Sequence, residues 1–335
     1  MPIPTPFHDR TSKLCTSYSW TDWAGYYAVC SYILPNDSEY YAIRHSAGII
    51  DITPLFKYEV GGPDAAAYLS RIMARNIQNI DVGQAVYCCW CNDYGKIVDD
   101  GTVFRLDEDR FRVHAAEPML AWFDQFKRGF NVAVEDITET ISAVAIQGPT
   151  SRDILKQLTD VEMDALAYYR VAAGKVDGLD AHISRSGFTG DLGYEIWVEN
   201  KAAPALWDGL MAAGKPYLLQ PAGLDVLDIT RIEAGLILNG VDFHNAEHCL
   251  VESQKSSPFE LGLGWTVDLE REPFCGQRAL IAEKDAGPQY ALVGLELDWD
   301  EQEALYARHG LPAQINPGAW RNGVPVYTGD GSSQI

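Results

Sequence analysis

The sequence predicts an α+β fold, in which antiparallel hairpins and short helices alternate without the β-α-β rhythm of a parallel sheet. Three observations carry that expectation. Stretches of alternating polarity end at tight Asn/Asp/Gly turns. Apolar stripes at helical spacing are short and stopped by glycine. No repeat or low-complexity segment is present, and 335 residues exceed one ordinary core but suffice for two or three packed units.

Residues 56–60, Phe-Lys-Tyr-Glu-Val, alternate and predict a strand. Gly61-Gly62-Pro63-Asp64 then opens a helix, with proline where a missing donor is tolerated and an acid where the helix dipole favours one. Its stripe of Ala65, Leu69, Ile72 and Met73 ends on the polar Asn76. Residues 85–91 predict a second strand. Asn92-Asp93-Tyr94-Gly95 turns it, and residues 96–106 return as a long partner strand. A helix is expected over 117–128, with strands over 131–134 and 142–146. Gln147-Gly148-Pro149-Thr150 opens another helix running to about residue 158.

Strands over 181–186 and 193–198 flank the loop 187–192, and helices over 203–213 and 222–234 stop at Gly214 and Gly235. From about residue 291 the pattern turns strand-like, with a loop-rich interval holding Trp299 and Trp320. Ser333-Gln334-Ile335 reads as the middle of a strand. The expected organisation is one region over 1–290, followed over 291–335 by the start of a small, truncated domain.

Apolar residues make up 47 % and charged residues 22 %, a globular balance. No apolar run reaches the length of a membrane span, and the N-terminus lacks the basic flank and apolar centre of a signal peptide. A cytoplasmic enzyme with no membrane partner is expected. The formal charge of −21 argues against nucleic acid, which requires a positive footprint, but leaves room for a small anion held by one or two arginines. Cys88 and Cys89 point to opposite faces of a strand and cannot serve one metal, so these thiols are read as structural. His244-Asn245-Ala246-Glu247-His248-Cys249 lacks a further ligand group at useful spacing, and no metal site is expected.

Chemistry shows itself where polar groups occupy positions that the pattern reserves for apolar ones. On the long strand, Asp100 shares a face with Val98, Thr102 and Phe104, while Asp99 shares the other with Ile97 and Val103. A solvent-facing strand end explains one such acid but hardly both. An acid among apolar neighbours needs hydrogen-bond donors or a raised pKa. Arg231 continues the helical stripe of Leu224 and Leu227 and therefore needs an anion. Asp228, three residues back, and a ligand carboxylate are equal alternatives. Glu195 shares a strand face with Gly193 and Trp197, where it either reads the donor edge of a heterocycle or faces solvent.

These residues sit in motifs that together resemble the glycine-cleavage T-protein family. Gly83-Gln84-Ala85-Val86-Tyr87 and Gly95-Lys96-Ile97-Val98-Asp99-Asp100 resemble its hairpin ending in a double acid. Ala145-Ile146-Gln147-Gly148-Pro149 is similar to its A-[LIV]-Q-G-P segment. Gly187-Phe188-Thr189-Gly190-Asp191-Leu192-Gly193-Tyr194-Glu195-Ile196 resembles its glycine-rich loop and strand. Thr230-Arg231-Ile232-Glu233-Ala234-Gly235-Leu236, Gly262-Leu263-Gly264-Trp265-Thr266-Val267 and the segment from Phe274 to Leu280 match later landmarks. Six segments in the family's order, across roughly residues 47–280, make the resemblance specific.

The resemblance implies ferredoxin-like, folate-binding α+β units followed by a small β-barrel, here incomplete, with tetrahydrofolate as cofactor. It assigns Asp100, with Asp99 beside it, as the catalytic acid. It places Tyr87, Glu195, Arg231, Phe188 and Trp265 in the folate pocket. Departures fall on the substrate side. Asp51-Ile52-Thr53-Pro54 lacks the family's histidine, Phe188 replaces a tyrosine, and Gly223-Leu224-Asp225-Val226-Leu227-Asp228 lacks an arginine.

The reading these departures favour is a folate-dependent demethylase or aminomethyltransferase using a small methylated amine, ether or sulfonium donor. The alternative is the glycine-cleavage aminomethyltransferase itself, whose partner is a lipoyl carrier protein. That carrier is acidic, so this chain's own charge opposes docking. A third reading, a non-catalytic folate-binding protein, lacks support because the K-G-C-[YF]-x-G-Q-E signature of such relatives is absent.

Overall fold

The computed structural model describes residues 1–314 and 319–329. Two large sheets carry the chain. In one, five antiparallel strands lie in the order Ala85–Cys91, Ile97–Asp107, Arg110–Ala115, Phe56–Gly61 and Ala133–Asp136. The other runs Val171–Val176, Leu179–Ser184, Gly193–Glu199, Ile141–Gln147 and Gly48–Asp51, and ends on Gln220–Pro221, which pairs parallel to Gly48–Asp51. Gly48–Asp51 and Ile141–Gln147 are neighbours in space, yet the whole five-stranded sheet lies between them in sequence. The two α+β units are therefore intertwined.

The alternation read from the sequence decides the layers. Val86, Cys88, Trp90, Val103 and Val113 form one face of the five-stranded sheet, covered by Leu69 and Ile72 of the helix Ala65–Ile72 and by Phe123 of Leu120–Gln125. The outer face of the six-stranded sheet, with Val144, Ile146, Ile183 and Ile196, packs on Ile154 and Leu155 and on Leu206 and Trp207 of the helix Ala203–Gly214. The two remaining faces meet each other. There Phe104 lies 4.7 Å from Trp197 edge-on, His114 lies 5.0 Å from the same indole, and Ala85, Ala143, Ala145 and Ile50 fill the gaps. Full burial of a side chain such as Phe104 is worth about 1.5–3 kcal/mol of transfer free energy. Cys88 lies in one core and Cys89 and Cys91 in another, as opposite strand faces require.

The glycine-rich loop before Gly193–Glu199 is wrapped round one buried amide. Gln147 accepts a hydrogen bond from Thr189 Oγ1 (2.9 Å) and donates to the Ser186 carbonyl (3.3 Å). A Cβ on Gly187 or Gly193 would stand 2.0 or 2.1 Å from Gln147 Oε1. Arg44, on the helix Asp37–His45, ties this loop to the helix Leu224–Glu233 by donating to the Thr189 carbonyl (2.7 Å) and pairing with Asp191 and Glu233.

Several expected elements shift. The helix expected over 65–76 stops at Ile72, because Met73 turns extended and Ala74 N–H bonds the Cys89 carbonyl at 2.9 Å. The helix expected over 117–128 contracts to Leu120–Gln125, since the Ala116 and Glu117 amides are engaged elsewhere. The helix expected to reach residue 158 is Ser151–Leu155, and the strand expected over 131–134 lies at Ala133–Asp136. The strand-like reading beyond residue 291 is corrected by the helix Trp299–Ala307. Asp298 caps it through its carboxylate to Glu301 N–H (3.0 Å), and Asp300 and Glu301 add favourable charge in the first turn. No closed barrel forms among the described residues, and residues 333–335 lie outside them.

Gly193→Ala tests the Gln147 arrangement. In a strand this change normally gains backbone stability, but here the new methyl overlaps a buried side chain. We expect a loss of about 1–3 kcal/mol, seen as a lower denaturation midpoint; an unchanged or raised midpoint contradicts the packing described.

Candidate active site

The hairpin of Ala85–Cys91 and Ile97–Asp107 sets Cys89 opposite Asp100 and Trp90 opposite Asp99. Its turn is made by Asn92, whose side-chain oxygen accepts from the Tyr94 and Lys96 amides, and by Gly95 at φ +73°. Strand alternation then sends the two acids to opposite faces, and both are buried.

Asp99 is the better partnered. Its Oδ1 accepts from Asn239 Nδ2 (2.7 Å) and the Asp100 amide (2.9 Å), and its Oδ2 from the Ala116 (3.1 Å) and Glu117 (3.0 Å) amides. Burial, with Asp100 beside it, pushes this carboxyl up, while the bonds from Asn239, Glu117 and Asp100 oppose. Asp100 accepts from the Tyr87 hydroxyl. Burial raises its carboxyl to about 6; the Tyr87 bond pulls it down and the Asp242 charge pushes it up. Tyr87 is itself held as a donor, because burial and Asp100 raise its phenol far above the ordinary value. Its ring stacks on Trp265 at 5.8 Å and 26°. Trp265 remains 65 % exposed on the turn Gly264–Thr266.

Glu195 lies on the facing sheet, opposite Ser184 and Ala145 and on the face that carries Trp197. It is half-buried, not a fully solvated strand acid. Loss of hydration raises its carboxyl to about 7, with the Ser186 hydroxyl opposing. Phe188 is half-buried in the loop before it. Arg231 resolves toward the internal partner: it bonds Asp228 (2.7 Å), Asp242 and the Leu236 carbonyl (3.1 Å), and Asp228 also takes Arg321 (2.6 Å).

The structure thus gathers Asp99, Asp100, Tyr87 and Trp265 on one hairpin and its neighbour. Asn239 and Asp242, from one short loop, connect that hairpin to Arg231. Sequence reasoning missed Asn239, Asp242 and Tyr169, whose phenol burial raises with Glu195 adding to the shift. None of the three sits at a periodic spacing from its partner, so no pattern marks them. The arrangement offers an ionisable base poised just below neutral pH, a donor fixing it, and a flat aromatic wall.

The family described as the GCVT N-terminal domain matches residues 8–271. A trimethylamine-oxide aldolase of Ruegeria pomeroyi is 36 % identical over 308 residues, covering 88 % of this chain but only 38 % of the aldolase. An aminomethyltransferase of Streptomyces avermitilis is 38 % identical over 285 residues, covering 82 % of this chain and 73 % of its own length. The crystal structure of the glycine cleavage system aminomethyltransferase T of Bartonella henselae superposes with a TM-score of 0.76 at 26 % identity, over 86 % of this chain and 76 % of that one.

The two acids separate by stability. Asp99→Ala strips four N–H groups of their acceptor and, at about 1–3 kcal/mol for each buried donor left unmade, lowers stability by about 3 kcal/mol or more. Asp100 differs in its partners: it accepts from the Tyr87 hydroxyl, from which an amide oxygen can also accept, and, like Asp99, its folded pKa lies above the unfolded value. The native state binds the extra proton between about pH 4 and 6, so its contribution is present at low pH and lost as pH rises through about 6. At pH 7.5, Asp100→Asn leaves the melting temperature unchanged or higher. A large drop for Asp100→Asn, or none for Asp99→Ala, contradicts these roles.

Proposed function

The chain belongs to the glycine-cleavage T-protein family, whose aminomethyltransferases use tetrahydrofolate, and on that premise we propose that it moves a one-carbon unit between tetrahydrofolate and a small methylated donor. The observation that carries this reading is Asp100, a buried carboxyl that accepts from the Tyr87 hydroxyl, with burial raising it to about 6. The residues fit the cofactor. Two carboxyls on facing sheets suit a heterocycle edge rich in donors, and an exposed indole backed by Tyr87 suits a flat ring.

Bound tetrahydrofolate supplies a nucleophilic ring nitrogen. Asp100 takes the proton that nitrogen must lose, and its pKa leaves it largely ionised at neutral pH. Tyr87 fixes the carboxylate's direction and keeps it ionised by donating to it. Glu195, near half-ionised at pH 7, accepts from the donor edge of the pterin. Phe188 and Trp265 offer apolar surface to the ring. Arg231, with Asp228 and Asp242, holds the helix end and the loop carrying Asn239 in register with Asp99.

For the donor, the aldolase relative is named for trimethylamine oxide, a small methylated amine derivative. Together with the altered residues 51–54, this favours a small methylated amine, amine oxide, ether or sulfonium compound. The aminomethyltransferase relatives favour the second reading, in which a lipoyl carrier presents an aminomethyl group. Purified protein with tetrahydrofolate and each free donor, then with an aminomethyl-loaded carrier, separates the two. Methyl- or methylene-folate from a free donor supports the first reading. Product only with the carrier transfers support to the second, and product from neither ends both.

The pH profile follows from the carboxyl. A base works when ionised, so kcat/KM should rise with pH through an apparent value near 6. Because the Tyr87 bond lowers that value, Tyr87→Phe should move the rising limb to higher pH, whereas Glu195→Gln should leave it in place. A limb that ignores Tyr87→Phe assigns the base elsewhere.

A further inference from the structure

The seam between the two sheets gathers buried donors round one indole. Arg112 and His114 stand two residues apart on the inward face of Arg110–Ala115, and both are buried. Across the seam lies Trp197, whose ring centre is 5.0 Å from the His114 ring and 6.0 Å from the Arg112 guanidinium carbon. Arg112 Nε and Nη1, His114 Nε2 and Trp197 Nε1 are all enclosed, and among the described residues none of these atoms has a hydrogen-bond partner. The carboxylate paired with Arg112 is Glu59, at 3.6 Å from Nη2 and so beyond hydrogen-bond reach. Arg110 shares that carboxylate at 3.9 Å, so two guanidiniums divide one negative charge. Lys57, opposite His114 on the next strand, is a further buried cation, with its ammonium bound by the Thr53 and Leu55 carbonyls at 2.7 Å each.

A buried donor left unanswered is expensive, a charged one more so, and a group of them in one seam calls for an acceptor. A bridging water is a poor one. It must also donate two protons, and the enclosed, unpartnered side-chain atoms of the seam include at most one acceptor, His114 Nε2. A monatomic anion accepts N–H groups from any direction, returns no proton and offsets the guanidinium charge. We propose that the seam binds a halide ion, of the size and charge of chloride, between Arg112, His114 and Trp197. The ion acts as a clamp between the sheets. It ties Arg110–Ala115 of one to Gly193–Glu199 of the other, two residues from Glu195 on the same strand face.

Thermal unfolding of the full chain in sodium chloride, bromide or gluconate, at one ionic strength, tests the site, because general screening is then common to all three. The unfolding temperature should be higher in chloride and bromide than in the bulky gluconate. It should rise by about 2 °C for each tenfold increase in chloride above the dissociation constant. Arg112→Met, which keeps much of the volume and removes the charge, should abolish the difference between anions. Should that variant fail to fold, crystals of the unaltered protein grown with bromide give an independent reading. An anomalous peak is expected between the Arg112 guanidinium and Trp197 Nε1. Equal unfolding temperatures in all three salts, an anion preference that survives Arg112→Met, or bromide peaks confined to the protein surface would each overturn the site.

Discussion

A buried carboxylate without water must find N–H groups, and the way Asp99 finds them organises this molecule. Its four donors come from its own strand, from the amides that follow Arg110–Ala115, and from Asn239 in a loop some 140 residues later. That one group clamps the hairpin, the adjoining strand and the loop carrying Asp242. With the backbone at Asp99 held, alternation leaves Asp100 no choice but the opposite face, where Tyr87 meets it. The two acids are consecutive yet serve opposite faces because a strand turns one residue each way.

The second organising feature is the meeting of two sheets across Phe104, His114 and Trp197. A sheet normally turns its polar face to water. Here each sheet is covered on both faces, by helices on one and by the other sheet on the second, so Glu195 and Asp100 lie in a region of low hydration. Their raised carboxyls share that cause: burial is the largest influence on each. Intertwining of the units along the chain ties the two sheets together, since Gly48–Asp51 and Ile141–Gln147 pair on either side of the inserted sheet in sequence.

Much of this was legible in the sequence, for reasons that can be named. The hairpin announced itself through alternation and an Asn/Gly turn, and the two acids through their presence on both faces. The α+β class and the loop before Glu195 followed from the same patterns. Arg110–Ala115 went unread because Arg112 and His114 occupy an inward face where alternation asks for apolar residues. The helix Trp299–Ala307 was missed because the apolar residues over 291–297 set a strand-like reading, and the Asp298 cap went unread. Arg231 was correctly seen to need an anion, but Asp242 lies past a glycine turn and is invisible to any helical spacing. Long-range hydrogen bonds such as Asn239 to Asp99 leave no local trace at all.

The central claim is geometric: the folate nitrogen that reacts sits against Asp100, and the pterin edge against Glu195. A crystal structure of the protein with 5-methyltetrahydrofolate tests it most directly. The account predicts the reacting nitrogen within hydrogen-bond reach of the Asp100 carboxylate, the pterin donor edge on Glu195, and Asp99 still bound to Asn239 and the Glu117 amide. A folate seated away from the hairpin, or one bound with Asp100 facing only solvent or protein, would contradict it.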